Sequence, residues 1–343
     1  MIAHSRPSLG AEEAEAVRRV VASGMLAEGP EVEALESGLA ALWQVPHACA
    51  VAHGTAALHL GLLALGAAPG KRVLLPSYGC VSLLNAVAYT GAEPVLVDNL
   101  EGHFVPDLNE VGRRLDSRVA AALLPHLFGA RLDLGQLPQE VNVLEDSTHS
   151  VGIAGLQGRA TLASFFATKM LASGEGGVFL TDSQELDEFV RDHRSYDEKE
   201  NWRPRYNYKM TDMAAALLRV QLGRLPQFLA RRRAIAQRYA AHWQQHERLR
   251  LPLQSDHAHV HYRFVAAAQV PLQPLLDRLR ERGVGARRPV YRPLHRYLDL
   301  PDRDYPKATQ WFEQCLSLPV YPSLSDDEVE RVIGVVDEEL ARA

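Results

Sequence analysis

Ser164-Phe165-Phe166-Ala167-Thr168-Lys169-Met170-Leu171-Ala172-Ser173-Gly174-Glu175-Gly176-Gly177 is the stretch from which the fold can be read outward. An apolar run over 160–166 leads into it, and Val178-Phe179-Leu180-Thr181 leads out. Short apolar runs bounded by glycine read as buried strands. A lysine held between two such strands is desolvated, which lowers its pKa and frees the amine for carbonyl chemistry. A surface lysine in a βαβ connection has the same local pattern, so the choice falls to the rest of the chain.

Upstream, strands over 73–75, 94–97 and 119–124 alternate with helices over 82–89 and 108–115. That order predicts parallel βαβ units with helices on both sheet faces. A strand over 141–144 ends in Glu145-Asp146-Ser147-Thr148-His149, and in such sheets ligands sit at the carboxyl ends of strands. Asp146 stands there, where an N-cap or ion-pair role competes with catalysis. Nearer the N-terminus, a helix over 11–21 places Ala14, Val17, Val20 and Val21 on one face, and a second spans 30–42. A strand over 47–52 turns at His53-Gly54-Thr55-Ala56-Ala57-Leu58 into a helix. The free N–H groups of its first turn, with the Thr55 hydroxyl, make an anion site or an ordinary N-cap.

Downstream, helices are expected over 186–192, 211–222 and 225–243, separated by a polar loop over 195–208 that is exposed or docks on a partner. Arg231-Arg232-Arg233 reads as a solvated face. The chain divides into a large domain, 1–225, and a smaller α+β domain, 226–343. The latter has a strand over 260–270, a helix over 272–282 and a terminal helix over 326–340. Between them 290–321 is mostly loop, with one helix over 308–315.

Composition narrows the function classes. The 343 residues are 47% hydrophobic, with 37 basic against 42 acidic side chains. No global basic field points to nucleic acid or a membrane surface. Three cysteines without metal-type spacing argue against a disulfide framework, and no leader or spanning segment is evident, so a cytoplasmic protein is expected. His257, His259 and His261 would share one strand face, but no carboxylate or cysteine lies at a helpful spacing and no metal is expected. No G-x-G-x-x-G follows the first strand, which removes a dinucleotide site.

Taken in order, the motifs resemble the DegT/DnrJ/StrS-type family of pyridoxal-phosphate enzymes, best known as nucleotide-sugar aminotransferases. They are Ser23-Gly24 with Glu28-Gly29-Pro30, Gly54-Thr55-Ala56-Ala57-Leu58, Gly91-Ala92-Glu93-Pro94-Val95, His126-Leu127-Phe128-Gly129, Glu145-Asp146 with His149, and Ser164-Phe165 with Lys169 and Gly174-Glu175-Gly176-Gly177. Tyr206-Asn207-Tyr208-Lys209-Met210-Thr211, Leu294-His295 and Leu318-Pro319-Val320-Tyr321-Pro322 complete the set.

The resemblance implies an aspartate-aminotransferase-like fold (fold type I), with a mostly parallel, mixed central sheet flanked by helices. It implies pyridoxal 5'-phosphate as cofactor, bound to Lys169 as a Schiff base, with amino transfer from an amino acid such as glutamate to a keto-sugar in two half-reactions. Asp146 would pair with the pyridine nitrogen, and His149 would lie near the ring. Gly54, Thr55 and Ser164, with Ala56 beside them, would hold the phosphate. Asn207 would reach it from the neighbouring subunit of a homodimer.

Two departures stand out. Cys80 follows Pro76-Ser77-Tyr78-Gly79 where relatives place a ring-stacking aromatic, leaving Cys80, Tyr78 or His149 for that contact. The 195–205 loop carries Asp197-Glu198-Lys199-Glu200 in place of an expected glycine-bearing stretch. Met25, Glu28, Tyr78, that loop, Tyr291 and His295 are the expected substrate contacts. A pyridoxamine-dependent deoxysugar dehydratase and a regulatory paralogue share the fold. Relatives with the first activity have histidine where Lys169 stands, and the intact lysine, aspartate and phosphate set weighs against the second.

Overall fold

The computed structural model describes residues 1–252 and 259–342. Seven of its strands are β1 (His47–Val51), β2 (Arg72–Pro76), β3 (Glu93–Val97), β4 (Val119–Pro125), β5 (Val143–Asp146), β6 (Ala160–Ser164) and β7 (Gly177–Thr181). They form one sheet in the order β1-β7-β6-β5-β4-β2-β3. All pairs are parallel except those of β7, which runs antiparallel to both β1 and β6. The sheet is therefore mixed but mostly parallel, because the turn after Lys169 brings the chain straight back as a hairpin partner of β6 instead of crossing over.

The helices are α1 (Ala11–Ser23), α2 (Pro30–Trp43), α3 (Gly54–Ala64), α4 (Val81–Thr90), α5 (Leu108–Arg113), α6 (Gln184–His193), α7 (Asp212–Gly223) and α8 (Leu225–Trp243). Helix α3 is buried on nearly every side, as Ala56, Ala57, Leu58, Leu60 and Leu62 dictate. Gly61 lets it lie close to the sheet, since a Cβ there would come within 3.0 Å of Leu144. Helices α2, α7 and α8 pack on the other face around Trp43, Phe165, Leu218 and Phe228. Asp212, itself buried, accepts the Gly29 and Val32 N–H groups at 2.9 and 3.0 Å and so ties α7 to the start of α2. A carboxylate at a helix N-terminus is favoured by the helix dipole.

A second, antiparallel sheet holds β8 (Leu249–Arg250), β9 (Phe264–Ala268) and β10 (Cys315–Leu318), in the order β10-β9-β8. Helices α9 (Leu272–Glu281), α10 (Leu294–Tyr297), α11 (Pro306–Gln314) and α12 (Asp326–Ala341) surround it. Its core joins Leu275, Leu279, Leu316, Val332 and Val336 to Tyr239 and Trp243 of α8.

Four expectations need correction. Helix α1 buries Glu13, Ala16 and Val20, so its packed face is rotated from the expected one and Val21 is 56% exposed. Buried Glu13 is held by Gln221 and Arg224, a pairing that hydrophobic periodicity does not register. The strand expected over 260–270 contracts to β9, leaving His259 and His261 in an irregular segment, while His257 lies outside the described residues. The proline-rich stretch contains α10 and β10 as well as the expected helix. Arg232 is not solvated: it is 3% exposed and donates to the carbonyls of Tyr262 at 3.1 Å and Val320 at 2.6 Å. Among the described residues no helix is long and apolar enough to cross a membrane.

Candidate active site

The carboxyl ends of β4, β5 and β6 open into a cleft of about 530 Å³. Asp146 is the last residue of β5, and Lys169 follows β6 in a loop that folds back on itself. In that loop Lys169 N–H donates to Phe166 O at 2.8 Å and Ala167 N–H to Gly174 O at 3.0 Å. Gly174 takes φ 86°, a left-handed conformation that favours glycine, and so permits the reversal.

The loop brings Lys169 Nζ to 3.1 Å from His149 Nε2. The His149 ring lies stacked on Tyr262, 4.1 Å between centroids and 18° between planes, with Phe128 stacked at 6.1 Å. Phe128 adopts φ 61°, rare for a residue with a side chain, and its N–H donates to His149 Nδ1 at 3.3 Å. Burial first, then the Lys169 and Arg263 charges, push the His149 pKa well below the ordinary value. A neutral ring carries one proton, so the Phe128 N–H at Nδ1 and the Lys169 amine at Nε2 compete for its single acceptor nitrogen.

Asp146 Oδ1 accepts the Thr148 N–H at 3.0 Å, which fixes the carboxylate at the cleft floor. Behind it His126 Nε2 and Glu145 Oε2 pair at 2.8 Å, both fully buried. Burial alone would raise the Glu145 pKa; His126 and the Gln157 and Gly158 N–H groups outweigh it and hold it below the ordinary value. This pair braces β5 against β4 and faces away from the lysine.

The opposite end of the cleft is the first turn of α3. Its N-cap is His53, whose Nδ1 accepts Ala56 N–H at 3.0 Å, and not Thr55. The N–H groups of Gly54 and Thr55 precede any intrahelical acceptor and line the cleft with Ser164. Here the fit to a phosphorylated cofactor can be tested. A Cβ on Gly54 would stand 2.5 Å from Ser164 Cβ, so glycine alone lets the helix end and the Ser164 hydroxyl converge on one point. Orphan N–H groups, a helix dipole and a hydroxyl suit a phosphate, while Lys169 and Asp146 suit an aldehyde and a ring nitrogen. The residues present fit pyridoxal phosphate.

Of the residues expected from sequence, Gly54, Thr55, Cys80, Asp146, His149, Ser164 and Lys169 line this one cleft. The others do not. Ala56 is fully buried behind the helix start, and Tyr78 is fully buried against Phe128 with a hydroxyl that has no partner among the described residues. His295 is buried as well, held by Ser77 at 2.5 Å and Asp302 at 2.9 Å and stacked on Tyr305. Glu28 is paired with Arg194, Met25 is 59% and Tyr291 87% exposed, and none of the three reaches the cleft. The 195–205 loop also lies outside it, pinned by Arg205, Lys199 and Arg203 to Asp192. Asn207 is exposed and points to no site within its own chain.

Sequence reasoning missed Thr148, whose Oγ1 accepts the Ser164 N–H at 3.0 Å, and Tyr262 and Arg263, which the second sheet brings in. Thr148 sits within the quoted Glu145–Asp146 stretch and was open to notice. Tyr262 and Arg263 carry no local signal. Burial would raise the Tyr262 pKa, but Lys169, Arg263 and Arg232 outweigh it and set it below the ordinary value.

A model of the DegT/DnrJ/EryC1/StrS aminotransferase family matches residues 7–337. The aminotransferase TlmJ from Streptoalloteichus hindustanus is 33% identical, with 100% of this chain and 99% of that one covered at a TM-score of 0.93. DesV from S. venezuelae, solved in complex with a ketimine intermediate, is 30% identical over 97% and 95% of the two chains, at 0.92. Spr1654 from Streptococcus pneumoniae, solved in PLP and PMP forms, is 24% identical over 99% of this chain and 99% and 98% of those two chains at 0.93, a likeness of fold. By a match that spans almost its whole length, the chain belongs to the DegT/DnrJ/EryC1/StrS aminotransferase family, and pyridoxal phosphate is its cofactor.

Proposed function

We propose that this aminotransferase takes the amino group of an amino acid, glutamate, and delivers it to a keto-sugar, most simply one linked to a nucleotide. The observation that carries the reading is the Lys169 amine at 3.1 Å from His149, in a cleft that also holds Asp146 and the free start of α3. Pyridoxal phosphate supplies an aldehyde for amines and a ring that takes up the electron pair released at the substrate carbon. Lys169 would hold the cofactor, and its Nζ, when free, would carry the proton to and from the substrate carbon. Asp146 keeps a proton on the ring nitrogen, and His149 orients the amine. Gly54, Thr55 and Ser164 anchor the phosphate, and residues 226–343 close one wall with Tyr262 and Arg263. Asn207 reaches the phosphate of a second copy, so the working unit is a homodimer.

Borohydride treatment of the yellow holoenzyme followed by peptide mass spectrometry should place the reduced cofactor on Lys169. Glutamate should convert the enzyme to the pyridoxamine form, and a panel of nucleotide-linked keto-sugars should return it. A form that glutamate converts but no keto-sugar restores would replace the sugar acceptor with another ketone.

A further inference from the structure

Among the described residues, Arg263 is the one guanidinium that lines the cleft. Its backbone N–H is fixed to Phe128 O at 3.2 Å. Among the described residues its side chain donates only to the His4 ring, at 2.8 and 2.9 Å, and to the Tyr262 hydroxyl at 3.4 Å. Burial, then Arg263 and Arg287, drive the His4 pKa down to about 2, so this ring stays neutral and returns no charge. The ring is held in place by Ser317 Oγ at 2.9 Å. A guanidinium on a cleft wall with only neutral partners is ready for an anion.

Position says which anion. Lys169 Nζ and the Arg263 guanidinium both lie against the Tyr262 ring, 5.4 and 5.0 Å from its centroid. A substrate nitrogen that arrives where the Lys169 amine stands lies in the same cleft as Arg263 and against the same ring, with its nearest substituents beside it. In an α-amino acid one of these is a carboxylate. In a keto-sugar the same place is a ring carbon or a hydroxyl, and the phosphates of a nucleotide-linked sugar lie beyond the ring. The cofactor's own phosphate has a separate anchor at α3.

We propose that Arg263 binds the carboxylate of the amino donor and so makes the first half-reaction selective for amino acids over simple amines. This rests on the amino-acid donor proposed above. Glutarate, a dicarboxylate without the amine, tests it by isothermal titration calorimetry on the holoenzyme. Arg263→Gln should weaken glutarate about 10- to 100-fold and Arg263→Lys less, the range expected for a charge-assisted hydrogen-bonded pair. In parallel, single-turnover conversion of the cofactor's visible band should show KM for L-glutamate rising by about the same factor. The rate with n-propylamine should fall far less than the rate with glutamate.

Glutarate binding and glutamate KM that match the wild type in both variants would overturn the assignment and leave the aminotransferase reading standing. Equal losses with glutamate and n-propylamine would overturn it too. Should Arg263→Gln fail to load cofactor, Arg263→Lys decides by the same two readouts. A wild-type holoenzyme that converts with no amino acid at all would remove the donor proposed above and this anchor with it.

Discussion

Lys169 and His149 come from different loops and meet at 3.1 Å because two aromatic rings leave the imidazole no other place. Their neighbour Asp146 is held by one backbone N–H, and its second oxygen remains available at the cleft floor. Asp146→Asn keeps the shape and removes the charge that, in the proposed function, would retain a proton on the cofactor nitrogen. Its kcat should fall on the order of 100- to 1000-fold, the scale for removing one preorganised electrostatic partner. Cofactor content, read from the visible band after gel filtration, should stay near the wild-type level. Cys80 sits exposed at the N-cap of α4 and lines the cleft where an aromatic was expected. On the other side of the lysine, the aromatic stacking partners in place are Tyr262 and Phe128, both engaged with His149.

At the scale of elements, the close approach of α3 to β6 decides the anion end of the site. Gly54→Ala would put a methyl group 2.5 Å from Ser164 Cβ, which the backbone must relieve by moving the helix start. We expect about 1–3 kcal/mol of destabilisation, as for overpacking elsewhere. Cofactor affinity, titrated by the visible band, should weaken more than the unfolding midpoint alone accounts for. Helix α8 offers a second test. Its Arg232 is buried, and burial lowers its pKa only to about 10, so it carries its charge to three carbonyls at neutral pH. Arg232→Met leaves those carbonyls without their donor and should cost about 2–4 kcal/mol, seen as a shift of the urea midpoint. A solvated arginine would cost almost nothing.

For the whole molecule, buried and half-buried histidines set the acid limit. Burial is the first cause in each of four: His4 is lowered to about 2, His259 to about 3, and His59 and His261 to about 4. Folded pKa values below the unfolded value of about 6.5 mean that the unfolded chain binds the extra protons. The stability these groups contribute is therefore complete above pH 6.5 and is lost progressively as pH falls from there toward 4. Each contributes a slope of at most about 1.4 kcal/mol per pH unit. The urea midpoint should drop steadily over that window, and His59→Asn should flatten the drop by about one proton. The proposed shared dimeric site would have its own signature. Lys169→Ala and Asn207→Ala enzymes, each impaired alone, should after subunit exchange recover about a quarter of wild-type activity, since half the dimers are hybrids with one intact site each.

Periodicity and punctuation were enough to place most strands and helices within a few residues, including β7 and α8 at both ends. Short apolar runs and helix caps are local features, and local sterics fix them. Gly54, Thr55 and Asp146 were legible for a related reason: they lie at a strand end or helix start, where a parallel sheet gathers its ligand groups, and Lys169 lies between two strands, whereas His149 and Ser164 were named only through the family resemblance. What the sequence could not decide was which residues far apart in the chain face one another. Tyr78 and His295 have the composition of substrate contacts, yet both are buried, His295 because Ser77 and Asp302 satisfy its two nitrogens. Arg232 looks like one of three solvated arginines until two segments far along the chain, at Tyr262 and Val320, present their carbonyls to it. Tyr262 and Arg263 reach the cleft only because the second sheet docks against the first. Local geometry is written in neighbouring residues, whereas burial and charge environment depend on contacts across hundreds of positions, and these only the folded chain sets.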